Sequence, residues 1–301
     1  MASELGAQIT AMPVSDQTTQ QLSIGQCATL ACLLESATPK PGNVHRGADF
    51  EDMTFTDFVA TAVAIGPAME TASTDRSVGA TVLKAIRASK QVTPANTNLG
   101  TVLLFAPLAV VSLHTPVAKE LPEILGHLSP QDAIDVYEAI RLADASGLGQ
   151  VAEHDIHDTA PADLLEAMRA ASPRDLVARQ YVTDFHEVLQ VTLPAIVQGV
   201  TSGWSLSDSI VHTHVQLMAR FPDSLIVRKC GEEIGAMASL RARAVLDAGH
   251  PGDHAYHTGL ADLDFWLRSD GHRRNPGTTA DLIAAGLFVG LRENLIVPPF
   301  S

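Results

Sequence analysis

Arg273 and Arg274 stand immediately before Asn275-Pro276-Gly277-Thr278-Thr279, and Asp281 follows one helical turn later. Pro276 suits the first position of a helix. Gly277, Thr278 and Thr279 then supply free amides and hydroxyls in its first turn. With two arginines ahead of it, such a helix start has the makings of an oligophosphate cradle. Asp281 is placed to hold a Mg²⁺ ion that bridges phosphate oxygens. An extended approach to the helix would leave one of the two arginines pointing away.

Three further polar segments interrupt an otherwise apolar chain. In Thr38-Pro39-Lys40-Pro41-Gly42-Asn43-Val44-His45-Arg46, prolines on both sides of Lys40 restrict the backbone, and Gly42 permits close approach to a ligand. The expectation is a stiff loop presenting Lys40 and Arg46; an ordinary Pro-Gly helix stop explains the same residues. Asn96-Thr97-Asn98-Leu99-Gly100 runs straight into a very apolar helix, whose amide end its side chains would cap. Asp223-Ser224-Leu225-Ile226-Val227-Arg228-Lys229-Cys230-Gly231 puts two adjacent cations at a predicted helix start. That end of a helix attracts anions, so a bound phosphate or carboxylate would complete the site; a solvated charged turn is the alternative.

Cations are scarce in this chain. Lys and Arg number 20 against 34 Asp and Glu, a formal charge of -14, and only five residues are lysine. Such a balance argues against binding along a nucleic-acid backbone, and it means that an anionic ligand must be met by locally gathered cations. Hydrophobic residues make up 46% and charged residues 18% of 301, which excludes a disordered acidic chain and allows a sizeable core. Cys27, Cys32 and Cys230 cannot all pair and show no C-x-x-C spacing, so they read as small hydrophobes in a reducing compartment. The first residues have neither a basic nor an apolar signal region, and the longest apolar run, Leu99 to Leu113, is too short to span a bilayer. A cytoplasmic protein with no membrane partner is expected.

The elements that must position these segments are helices. Apolar residues recur at helical spacing, as in Phe55, Phe58, Val59, Ala62 and Val63. The pattern predicts helices at about 16–36, 55–66, 76–90, 99–113, 130–143, 162–171, 174–200, 206–220, 231–248, 258–269 and 277–296, with Ser129-Pro130 and Ser172-Pro173 as starts and Gly249 as a stop. The expected fold is all-α: one compact multi-helix domain over 1–301, with 99–113 and 282–291 as central buried helices. Strand signals, G-x-G-x-x-G and G-x-x-x-x-G-K-[ST] are missing, against a Rossmann or P-loop fold. Acidic charge and apolar helix faces are compatible with a homodimer.

Taken together, the four segments resemble the triphosphoribosyl-dephospho-CoA synthase family. Its T-P-K-P-G matches Thr38 to Gly42, and the aspartate-methionine that follows matches Asp52-Met53. Its N-T-x-x-G matches Asn96, Thr97 and Gly100. Its D-[ST]-[LN]-[IL]-V/A-R is similar to Asp223 to Arg228, and its N-x-[SP]-P-G-[GT]-[ST]-A-D-L to Asn275 to Leu282 with a shorter spacer. The matches run in the family's order from about residue 27 to 295.

The resemblance implies an all-α enzyme that displaces adenine from ATP and joins the ribosyl C1 to the 2′-hydroxyl of dephospho-CoA, making a prosthetic-group precursor for an acyl-carrier protein of citrate or malonate lyases. Breaking a ribosyl–purine bond passes through an oxocarbenium-like state, which calls for a carboxylate near C1, an acid for the base, and cations or Mg²⁺ on the triphosphate. Candidate catalytic carboxylates are Glu35, Asp49, Asp52 and Asp281, the last also the candidate Mg²⁺ ligand. Lys40, Arg228, Lys229, Arg273 and the Gly277, Thr278 and Thr279 amides suit the phosphates. Gly42, Asn43, His45, Arg46, Asn96, Thr97, Asn98, Gly100, Asp223 and Asn275 complete the substrate-binding candidates. Asn98-Leu99 stands where the family has His and Lys, Asn43-Val44-His45 where it has Leu-Val-Asp, and its G-x-x-G-x-R-G-E has only Ser146 to Gly149 and Glu153 as a poor counterpart. These departures point to a divergent branch. Ribosyl transfer to a pterin or methanofuran-type precursor, a nucleotide or ADP-ribose-like N-glycoside hydrolase, and a helical nucleotide-binding scaffold are the alternatives.

Four features stand apart from this reading. His250, His254 and His257 with Asp253 read as a loop with metal-ligand residue types. His154-Asp155-Ile156-His157-Asp158 reads as a solvated or substrate-covering loop. His212 and His214 face different directions on a predicted helix. Trp204 and Trp266 are core aromatics or adenine-stacking rings.

Overall fold

A computed structural model describes residues 21–143 and 160–300. The expected helix that begins near 16 starts there at Ile24–Ala37 (α1), where Ser23 and Gln26 form a capping box. Phe55–Asp75 (α2) lies against it at close range. A Cβ on Gly25 would come within 2.6 Å of the Gly66 carbonyl, so the glycine permits the contact. Glu70 of α2 accepts the Gly25 amide and the Ser23 hydroxyl, both at 2.6 Å, and so closes the start of α1. The sequence pattern ends this second helix at Pro67. In the structure it runs on to Asp75, with Pro67 exposed on its outer face.

The expectation of central buried helices holds. Leu99–Val110 (α4) and Gly277–Arg292 (α14) are apolar nearly all round, and Phe105 of one stacks on Phe288 of the other at 4.8 Å. Arg292 is fully buried at the end of α14 and donates to the Leu108, Val111 and Ser112 carbonyls, the open C-terminal end of α4. Val78–Val92 (α3), Val117–Gly126 (α5) and Pro130–Ala143 (α6) pack around this pair. The α5 helix, ten residues with Pro122 inside, was not expected from the pattern.

Beyond the gap lie Leu164–Ala171 (α7) and Leu176–Val182 (α8). The expected continuous helix over 174–200 is broken. Asp184 and Phe185 take positive φ, a π-helical turn follows at Glu187–Thr192, and Leu193–Thr201 (α9) resumes with Pro194 near its start. Pro194 has no amide to donate backwards, and the wide turn absorbs the lost bond. The start of α8 is capped by Asp175 rather than by Ser172, which ends α7.

A second apolar cluster joins Leu206–Arg220 (α10), Ser224–Cys230 (α11), Glu232–Asp247 (α12) and His254–Arg268 (α13). Four extended residues, Ser269–His272 (β1), then lead into α14. The described residues comprise fourteen α-helices and no sheet, the expected all-α class. The 146–149 and 154–158 segments singled out above lie outside the described residues.

Candidate active site

A cleft of about 720 Å³ opens where the end of α1, the starts of α4 and α14, and α11 meet. Three local sequence features build it. Glu35 and Cys32 lie three residues apart in the last turns of α1 and face the cleft together. Asn96, Thr97 and Asn98 lead into α4, and Thr101 in its first turn donates to Asp281 Oδ1 at 2.6 Å. Gly100 has to be glycine there, because a Cβ would sit 2.1 Å from Asp281 Oδ2. The start of α14 then brings Gly277, Thr278 and, one turn on, Asp281 to the same wall.

The polar residues of the cleft divide by charge. Arg228 and Lys229 line one side, Arg228 reaching Asp175 Oδ2 at 3.4 Å. Burial and the neighbouring Arg228 hold the Lys229 ammonium below the usual lysine range, with Asp52 and Asp223 acting the other way. Asp52, at the rim, faces His272 Nδ1 at 3.0 Å. Asn43 and Asn275 hydrogen-bond to each other through their side-chain amides. Asp281 is pushed up to about 8, first by burial and then by the charges of Glu35, Asp223 and Asp175, against the Thr101 hydrogen bond. The same two carboxylates, Glu35 and Asp281, flank Cys32 and add to the burial that raises its thiol.

Several expected site residues do other work. Lys40 was expected to project from its loop toward phosphate. It is fully buried, 2.8 Å from Glu35 Oε1, and also donates to the Glu35 carbonyl at 2.5 Å. Gly42 adopts φ +77, yet its close neighbours are Leu267 and Pro276, and its amide donates to Asp264. The freedom is spent on packing the loop against α13, not on a ligand. Arg46 is exposed and away from the cleft, and His45 Nδ1 accepts the Gly47 amide outside it. Asp49 accepts the Phe55 amide at the start of α2.

Asp223 is 1% exposed. It takes the Leu225 and Ile226 amides on one oxygen and the Thr279 amide and hydroxyl on the other. Both Asp223 and Thr279 are thereby committed to tying α11 to α14. Arg273 leans back on the Lys229 carbonyl and Asp270, and Arg274 stacks on Trp266 at 4.6 Å, so neither arginine lines the cleft. The argument from cations at a helix start also changes. Arg228 and Lys229 occupy the last turn of α11, the end that favours cations without any ligand.

Other cleft residues carried no local signal. Asp175 and Arg174 enter from the α7–α8 turn, and Glu232 from the start of α12. Val136, Ile140 and Met168, from α6 and α7, form an apolar wall. Spaced as core residues are, they cannot be told from core by periodicity. Trp204 packs edge-on to His212, and Trp266 lies between Arg241 and Arg274; neither lines the cleft. His254 and His257 sit in the first turn of α13 rather than in a loop, and no group of three or more metal-binding side chains is found among the described residues.

The family model for ATP:dephospho-CoA triphosphoribosyl transferases (CitG) matches residues 21–298. The chain belongs to this family. Within it, a candidate 2-(5''-triphosphoribosyl)-3'-dephosphocoenzyme-A synthase of Pseudomonas fluorescens is 33% identical over 111 residues, 36% of this chain and 37% of that protein. The match thus spans little more than a third of the curated relative. The crystal structure of a candidate triphosphoribosyl-dephospho-CoA synthase from Archaeoglobus fulgidus superimposes with a TM-score of 0.60, covering 79% of this chain and all of that one at 24% identity. That likeness shows a shared fold. Residues of 96–100, 225–229 and 275–281 line the cleft, while Thr38 to Gly42 do not and reach it only through the following Asn43 and Val44.

Proposed function

We propose that this chain transfers the triphosphoribosyl group of ATP to the 2′-hydroxyl of 3′-dephospho-CoA and releases adenine, as a single-domain cytoplasmic enzyme. The observation that carries the reading is the convergence of four sequence-distant polar segments on one cleft, within a chain short of cations. Family membership over 21–298 gives the reaction its class. Among the described residues no helix is long and apolar enough to cross a membrane.

In this reading the triphosphate lies along Arg228 and Lys229 and meets the first turn of α14 through Thr278 and its amides. Asn43 and Asn275 offer amide groups to the ribose or the phosphates. The apolar wall of Val136, Ile140 and Met168 takes a flat base. The donor set suits Mg²⁺: Asp281 with the hydroxyls of Thr101 and Thr278 supplies hard oxygen ligands, and Glu35, Asp223 and Asp175 add negative charge that a cation would offset. When bound, Mg²⁺ would offset the negative charge of the triphosphate. No three-carboxylate cage exists among the described residues, so the ion would arrive with the nucleotide.

The test is adenine release, followed by chromatography with ATP, Mg²⁺ and dephospho-CoA. Adenine that appears only with dephospho-CoA supports the transfer. Adenine without acceptor would replace it by hydrolysis, and no adenine under either condition would sink it.

A further inference from the structure

Lys40 makes three polar contacts, all within its own corner of the chain. Its Nζ lies 2.8 Å from Glu35 Oε1, 2.5 Å from the Glu35 carbonyl and 3.4 Å from the Thr38 carbonyl. An ammonium has three donors, so none is left for a ligand. The side chain is 0% exposed, while Glu35 at 8% still reaches the cleft. Pro39 and Pro41 set the backbone on either side of the lysine, and the Lys40 amide donates to the Thr38 carbonyl at 2.8 Å.

Close to Lys40 lies His214 of α10, fully buried. Burial first, and then the Lys40 charge, push His214 down to about 3 against a hydrogen bond with the Pro41 backbone, so it adds no second cation. Among the described residues, Glu35 is the carboxylate in contact with this ammonium.

Resting on the reaction proposed above, we infer that Glu35 is the catalytic carboxylate that faces the ribosyl C1, and that Lys40 is its positioning residue rather than a phosphate ligand. The geometry separates Glu35 from the other acids. Asp49 is spent on a helix amide, Asp52 sits at the rim with a side chain 58% exposed, and Asp281 is held by Thr101 against Gly100. A buried carboxylate gains from a cation held at contact, and Lys40 supplies it from behind the cleft wall at 2.8 Å.

In the step, the C1–N bond breaks with its electron pair going to adenine, which takes a proton from water. The developing positive charge on C1 faces Glu35. The 2′-hydroxyl oxygen then bonds to C1, and its proton passes to Glu35 and on to solvent.

The experiment compares Glu35→Gln, Lys40→Met and the double variant for kcat and KM of adenine release, and for melting. Glu35→Gln is expected to lower kcat about 100-fold or more, with KM for ATP within about threefold. Lys40→Met should lower kcat with KM equally unmoved. The double variant should be no slower than Glu35→Gln, because both changes act through one carboxylate. It should also melt above Lys40→Met, in which a buried carboxylate has lost its counter-charge. Should Lys40→Met not fold, the double variant against Glu35→Gln carries the kinetic comparison.

The inference is overturned if Lys40→Met raises KM for ATP about tenfold with kcat kept, if the two losses multiply, or if Glu35→Gln keeps kcat within about threefold. A wild-type protein that releases no adenine overturns the proposed reaction and Glu35's part in it. The pairing is then read from melting alone, and equal melting of Lys40→Met and the double variant would overturn that as well.

Discussion

Asp223 accepts four hydrogen bonds where α11 meets α14, while Asp281, one turn into α14, accepts one from Thr101 and faces the cleft. Burial raises both carboxyls. For Asp223 the donors of Leu225, Ile226 and Thr279 work against burial; for Asp281 further carboxylates add to it. A carboxylate whose lone pairs are filled by backbone amides holds helices together. One left with open lone pairs and like charges nearby is a place for a cation or a proton. Residue type is the same in both, and the motif resemblance marks both alike; the partners separate them.

The largest test of this contrast is Asp223→Ala. It strips partners from two buried amides, one half-buried amide and a hydroxyl, and unfolding stability is expected to fall by about 3 kcal/mol or more in denaturant titration. A loss under about 1 kcal/mol would mean that the amides find other partners. Asp281→Asn should show the reverse: kcat for adenine release down about 100-fold, close to 2.7 kcal/mol in the barrier, with melting unchanged or raised. A variant that melts early and stays active would erase the distinction.

Gly100→Ala sharpens it from the facing helix. The new methyl would meet Asp281 Oδ2 at 2.1 Å, so the carboxylate must shift. Stability should fall by about 1–3 kcal/mol, and activity should fall with it. Lys229→Ala touches only the cation side and should raise KM for ATP about tenfold, about 1.4 kcal/mol, with little change in melting.

The smallest effect concerns a third buried aspartate, Asp132, which belongs with Asp223. It accepts the Gly79 and Ser129 amides and the Ser77 and Ser129 hydroxyls. Burial works against its ionisation, yet those hydrogen bonds win and hold it below the usual aspartate value. A depressed folded value means stability that is present above the unfolded value, about 3.9, and is lost as pH falls through the folded one. The stability gap between wild type and Asp132→Asn, followed by denaturant unfolding, should therefore narrow as the pH is lowered from about 5 to below 3.

Much of the fold was legible because helical spacing and caps are local signals. Ser129-Pro130 opens α6 as expected, and the two helices read as central are buried nearly throughout. Short elements were not: α5 and the seven-residue α11 leave too few turns for a periodic pattern to stand out. Missing α11 carried a chemical error with it, since Arg228 and Lys229 then looked like cations at the wrong end of a helix. At the site, segment identity was legible and side-chain direction was not. Asn43, Asn96, Thr97, Asn98, Asn275, Thr278 and Asp281 line the cleft, while Lys40, Asp223, Thr279 and Arg273, from the same segments, turn to structural partners.

By itself the sequence determined the all-α class, the two central helices, the family, and the four polar segments that interrupt the helical pattern. Each of these rests on spacing, capping or residue order along the chain. The tertiary structure alone decided which members of those segments meet, that Lys40 serves Glu35 from behind the wall, and that α6 and α7 contribute an apolar face. Those outcomes depend on which buried donor each polar group finds across the fold, and such partners lie tens to hundreds of residues apart, as Thr101 and Asp281 do.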